Sequence, residues 1–173
     1  IDIGLDYIDK IYHIADVHVR NVKRHKEYKL VFKRLYSYIK KTQTPNSIIY
    51  VAGDIVHAKT DMSPELVAVV SDFFKKLADL APTLIITGNH DCNLNNSYRL
   101  DALSPIVKAL NHQRLHYLKD NGIYSISGVH FNVMSVYNKP TEYITADQID
   151  SDYKIALHHG SVHNASTDAG FTL

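Results

Sequence analysis

The chain has 173 residues, of which 45% are hydrophobic and 21% charged, with a net charge of +1 and a mean hydropathy of −0.19. A chain of this size buries well over half of its unfolded surface, so it forms a core without staples, and the single Cys92 excludes a disulfide-rich secreted module or a thiolate zinc site. The longest apolar runs, Ser47 to Ala52 and Thr83 to Ile86, fall far short of the roughly 20 residues that span a bilayer, and no charged-then-apolar leader opens the chain. The expectation is an intracellular protein of a reducing compartment, cytoplasm or nucleus, with no membrane partner.

The first predicted strand is Ile11 to Ala15, rich in β-branched and aromatic residues and ending in a polar turn. A basic stretch follows. From Arg20 to Lys41 there are nine Lys or Arg residues against one acid, Glu27, a local charge of +8 that leaves −7 on the rest. One basic face on an otherwise acidic molecule suits an anionic partner, nucleic acid or phosphate ligand, and equally suits a solvated helix face. Within this stretch Tyr28, Val31, Phe32, Leu35, Tyr38 and Ile39 recur at spacings of three and four, which predicts a helix.

Ser47 to Ala52 is the second predicted strand. The next helix carries Leu66, Val67, Val70, Phe73, Phe74 and Leu77 on one stripe, with Ser63 as its N-cap and Pro64 at the first helical position. Leu84 to Thr87 is the third strand. Strand, helix, strand, helix, strand implies parallel strands joined by right-handed crossovers. A third helix is expected over Arg99 to Leu110, kinked or broken at Pro105. Beyond it the pattern turns to short strands, Leu115 to Leu118, Ile123 to Ser127, Val129 to Val136 and Lys154 to Leu157, with Ser127-Gly128 as a hairpin turn. No repeat, linker or low-complexity stretch divides the chain, so a single α/β domain over residues 1–173 is expected.

The residues able to carry chemistry sit where the predicted strands end. Strand one runs into Asp16-Val17-His18, strand two into Gly53-Asp54-Ile55-Val56-His57, strand three into Gly88-Asn89-His90-Asp91, and the last strand into His158-His159-Gly160. Parallel strands share one carboxyl edge, where ligands bind, so the four clusters converge. Alternation along Asp16-Val17-His18 puts both polar side chains on one side, a chelate arrangement. Carboxylate with imidazole suits manganese, iron or zinc. Taken one at a time, Asp16 or Asn89 is as readily a turn cap and His90 a surface histidine. His13 and His130 lie inside strands and read as structural, and Cys92 has no charged partner to activate it.

The ordered motifs Asp-x-His, Gly-Asp-x-x-His and Gly-Asn-His-Asp, followed by a strand-terminal histidine, resemble the calcineurin-like metallophosphoesterase family. The stretch Gly53 to Lys59 with Ser63-Pro64 downstream is most similar to its DNA double-strand-break repair nuclease branch. The resemblance implies an αββα sandwich of two mixed sheets flanked by helices, and a two-metal phosphodiester hydrolase with exonuclease and endonuclease action on DNA. It implies two divalent ions, manganese before magnesium, iron or zinc. Asp54 would bridge them, Asp16 and His18 complete the first, and Asn89 and His158 hold the second; His159 competes with His158, and the family spacing to Gly160 favours His158. His90 would be the general acid or phosphate-stabilising histidine and His57 would orient the scissile phosphate, with Arg20, Lys23 and Arg24 as contacts to the DNA; His163 reads as a surface loop histidine before a substrate contact. An SMC-like ATPase partner and a homodimer are further implications. The family's last histidine motif does not follow His158 before Leu173, and position 1 is not Met, so a fragment lacking that motif and any capping domain is expected, weak in metal binding and poorly active. A phosphatase, a nucleotide or cyclic-nucleotide phosphodiesterase, and a non-catalytic domain of the same fold are the competing readings.

Overall fold

The computed structural model describes residues 1–161 and 165–166. Strands and helices alternate through the first two thirds: β1 (Lys10–Ile14), α1 (His25–Thr42), β2 (Ser47–Val51), α2 (Pro64–Leu80), β3 (Thr83–Ile85), α3 (Ser104–Leu110) and β4 (Leu115–Tyr117). The chain then forms β5 (Gly122–Ile126), β6 (Val129–Met134) and β7 (Lys154–His158). Strands β1 to β4 make one sheet in sequence order, parallel throughout because a helical crossover separates each pair. The second sheet, β5-β6-β7, is mixed: β5 and β6 are an antiparallel hairpin and β6 and β7 are parallel. Among the described residues no helix is long and apolar enough to cross a membrane.

Alternation along β2 divides the core. Ile49 and Val51 face the helices, in a cluster with Phe32, Ile39, Phe73 and Phe74, while Ile48, Tyr50 and Ala52 face the second sheet and meet Phe131, Val133 and Leu157. The Phe32 and Phe73 rings stack at 4.3 Å, locking α1 to α2. The layers among the described residues are therefore helices, parallel sheet and mixed sheet: two stacked sheets with helices on their flank, as the resemblance implies, the first sheet being parallel instead of mixed.

Local signals behave as their chemistry requires. Ser63 Oγ accepts the Leu66 N–H at 3.2 Å, with Pro64 at the first helical position. Ser127 and Gly128 both have positive φ (48° and 77°), the condition a type I′ hairpin turn imposes. Pro105 differs from expectation: it sits in the first turn of α3, where its missing N–H costs nothing, and the helix begins only at Ser104. The buried Asp101 carboxylate delays that start, accepting the Leu103 and Ser104 N–H groups at 2.9 and 2.6 Å.

Past Val51 and Ile86 sheet pairing stops, and a side chain takes over. Asp91 is fully buried; its Oδ1 accepts the N–H groups of Ile55 and Val56 at 2.9 and 3.0 Å, and its Oδ2 accepts that of Gly88 at 2.9 Å. Burial pushes this carboxyl up to about 6, against the pull of the three donors. Asp91→Ala leaves three buried N–H groups without an acceptor, each worth roughly 1–3 kcal/mol, so a loss on the order of 3 kcal/mol or more is expected as a lowered urea midpoint. Asp91→Asn keeps one carbonyl oxygen but turns amide hydrogens toward other donors, and its midpoint is expected between the two.

Candidate metal centre

The loops after β1, β2 and β3 and the end of β7 meet at the carboxyl edge of the parallel sheet. Asp16, His18 and Asp54 all adopt left-handed backbone, with φ of 54°, 48° and 53°. Non-glycine residues hold such conformations only where the surroundings over-determine them, and they gather at functional sites. The Asp16–His18 pair is thus aimed by two left-handed residues beyond the end of β1, not by strand alternation as the sequence suggests. The outcome is the same: His18 Nε2 lies 3.6 Å from Asp16 Oδ1 and 3.5 Å from Asp54 Oδ2.

Glycine lets the neighbouring loops touch. A Cβ on Gly53 would stand 2.6 Å from the Gly88 nitrogen, and one on Gly88 would overlap the Asp54 nitrogen and carboxylate. With the loops this close, the His90 N–H donates to Asp54 Oδ1 at 2.8 Å, leaving Oδ2 of the buried Asp54 for the site.

His159 supplies the opposite wall. Its Nδ1–H donates to the Ala52 carbonyl at 2.7 Å, so in the neutral ring Nε2 presents a bare lone pair, and that atom faces Asn89 Oδ1 at 3.1 Å and Asp54 Oδ2 at 3.3 Å. His158, preferred from the sequence as the ligand, is placed elsewhere: its Nδ1 bonds the Met134 carbonyl at 3.2 Å and its ring meets Tyr143 edge-on at 5.7 Å. Strand parity explains the correction. Leu157 points into the space between the sheets and is buried, so His159 lies on the same side and His158 on the other. That inward leucine was the signal in the sequence that identified His159.

His57 and His90 form the remaining side. His90 Nδ1–H donates to the His57 carbonyl at 2.7 Å, which leaves its Nε2 free, and its ring lies 4.8 Å from that of His18. The bridge between Val19 and Val56, with His57 N–H donating to the Val19 carbonyl at 3.0 Å, carries Arg20 next to His57. The Arg20 guanidinium, then burial and the neighbouring His18 and His90, hold the His57 imidazole below its ordinary range. Of the other basic residues named from the sequence, Arg24 is engaged with Glu27 at 2.6 Å and Lys23 is exposed without a described contact to the site. Lys59, given no role from the sequence, donates from Nζ to the Asn89 carbonyl at 3.3 Å. His163 lies outside the described residues.

The donors fit divalent cations. His159 Nε2 stands 3.1 Å from Asn89 Oδ1 and 3.3 Å from Asp54 Oδ2, three atoms that can each offer a lone pair to one cation. The His159 N–H held by a backbone carbonyl is the support a ligating imidazole needs. Asp16, Asp54 and His159 offer ligand atoms within 4.8 Å of one another, as do His18, His57 and His90, and the buried His18 Nδ1 has no hydrogen-bond partner. Oxygen with imidazole nitrogen is a donor set for manganese, iron or zinc.

The protein named Uncharacterized protein R555, of Acanthamoeba polyphaga mimivirus, is 47% identical over 178 residues, which cover 96% of this chain and 13% of that protein. The chain therefore spans about an eighth of that relative's length. A nuclease of Pseudomonas putida, MPE, has a TM-score of 0.42 to this structure with 21% identity, over 71% of this chain and 51% of the nuclease. Residues 9–172 match the calcineurin-like phosphoesterase family along nearly their whole length, and with that match added to the convergent ligands the chain belongs to this family of metal-dependent hydrolases.

Proposed function

We propose that this protein hydrolyses phosphodiester bonds of DNA with two divalent cations, manganese foremost, as the double-strand-break repair nucleases do. The observation that carries the reading is the convergence of His18 and His159 on Asp54 Oδ2, flanked by two further imidazoles and one guanidinium on the open side. Asp16, His18 and Asp54 would hold one cation, and Asp54, Asn89 and His159 the other. Such a pair, when bound, neutralises charge on the attacking and leaving oxygens.

The chain's own groups do the rest. Asp54 is held by the His90 N–H, so its free oxygen is aimed before any cation arrives. His90, with Nδ1–H tied to the His57 carbonyl, presents Nε2, the atom through which the ring would pass a proton to a leaving oxygen. His57 and Arg20 border the hollow where a phosphate would lie, and the fixed charge of Arg20 attracts it. The exposed Lys26, Lys29, Lys33 and Arg34 extend the positive potential along α1, whose 18 residues are about 27 Å long, so several backbone phosphates can be held at once. The SMC-like partner, self-association and a reducing intracellular compartment rest on the resemblance and on composition.

Manganese content of purified variants tests the ligands. Asp54→Ala and His159→Ala are expected to lower bound manganese per chain, measured by inductively coupled plasma mass spectrometry, while His158→Ala leaves it unchanged. Hydrolysis of end-labelled linear duplex DNA tests the reaction. Shortening is expected with manganese, none with chelator, and a fall of about 10² to 10⁴-fold in His90→Ala with its manganese retained. Untouched DNA alongside rapid phosphomonoester hydrolysis would instead make the protein a phosphatase.

A further inference from the structure

Next to the hollow bordered by His57, Asn89 and His90, about 240 Å³ in volume, lies a larger cleft of about 370 Å³ between α2 and the segment that leads into α3. Its walls are mostly carbon, from Met62, Val67, Leu100, Ile106 and Ala109. Lys59 lines both depressions, so one cation stands at their boundary with its ammonium on the Asn89 carbonyl.

The cleft is built before any ligand arrives. Ala102 N–H donates to the Asp91 carbonyl at 2.8 Å, which ties the wall of the cleft to the same turn that carries Asn89 and His90. Asp101, buried and paired with Lys119 at 2.9 Å, caps α3 and holds the other end of that wall. The loop approaching the rim carries three large side chains in the open, with Leu94, Tyr98 and Leu100 at 52%, 100% and 77% exposure. An apolar cleft that shares the Lys59 ammonium with a hollow proposed to hold phosphate matches a ligand that carries an apolar group beside an anion.

We propose that this cleft receives a nucleobase of the strand whose phosphate lies against His57 and His90, with Lys59 neutralising the phosphate between the two subsites. The inference rests on the DNA reading above and adds the substrate form. A base seated between Leu100 and Ala109 is out of its duplex stack, so the nucleotide beside the cut is unpaired and the enzyme reads it by apolar contact.

The test compares manganese-loaded wild type, Ala109→Phe and Leu100→Ser on single DNA strands of ordinary residues and on strands of the same length made of abasic residues. Ala109→Phe fills the cleft, and Leu100→Ser alters only an exposed rim position and so leaves the core intact. Wild type is expected to show kcat/KM about tenfold or more higher on the base-bearing strand. Both variants are expected to shrink that preference toward unity while keeping cleavage of the abasic strand within about twofold of wild type. Equal cleavage of the two strands by wild type, or a preference that both variants keep, overturns the cleft proposal and leaves the nuclease reading standing. No cleavage of either strand, with hydrolysis of a phosphopeptide or a small phosphomonoester, overturns both and gives the cleft to another leaving group.

Discussion

Beyond the last paired residues of β2 and β3 no ladder joins the two chains, yet the residues that face one another there must be held to a fraction of an ångström. The Asp91 carboxylate supplies that constraint by accepting N–H groups from both sides, two from the β2 loop and one from Gly88. With this clamp closed, Gly53 and Gly88 stand in backbone contact and the His90 N–H reaches Asp54. The same turn then carries Ala102 and the wall of the apolar cleft. One buried carboxylate therefore positions the candidate metal donors, His90 and the wall of the apolar cleft together.

The candidate ligands are aimed by strained backbone. Three left-handed residues, at roughly 1–3 kcal/mol of strain each, turn carboxylates and an imidazole toward a common point. The two stacked sheets and the Phe32 and Phe73 contact hold this arrangement from beneath. Charge follows the same logic on a longer scale. Arg20 is fixed at the edge of the site by the Val19 and Val56 bridge, Arg24 is neutralised by Glu27, and the lysines of α1 carry the remaining potential away along the helix.

Much of this was legible before any coordinates. The strand, helix, strand order, the Ser63-Pro64 helix start and the Ser127-Gly128 hairpin follow from local chemistry, because each is decided by hydrogen bonds within four residues. The motifs at the strand ends named Asp16, His18, Asp54, Asn89, His57 and His90, and the fold brings all six to one edge. What escaped were residues whose roles come from distant partners. Asp91 was read as the end of a motif, and only its bonds to Ile55 and Val56, 36 and 35 positions away, show that it holds the loops together. Lys59 was part of a motif without a role until Asn89 was seen beside it. The family spacing to Gly160 favours His158, whereas the inward Leu157 sets the parity that turns His159 toward Asp54.

By itself the sequence determined the order of strands and helices, the parallel pairing and the convergence of polar clusters, since alternation, caps and crossover lengths are local properties of the chain, and its ordered motifs pointed to the family. Only the tertiary structure decided which histidine of the adjacent pair faces Asp54, which of three basic residues reaches His57, and that an apolar cleft shares Lys59 with the hollow beside His57 and His90. Those outcomes depend on which face of a strand meets which loop, a relation between segments up to 107 residues apart, as for His159 and Ala52, that spacing within either segment does not contain.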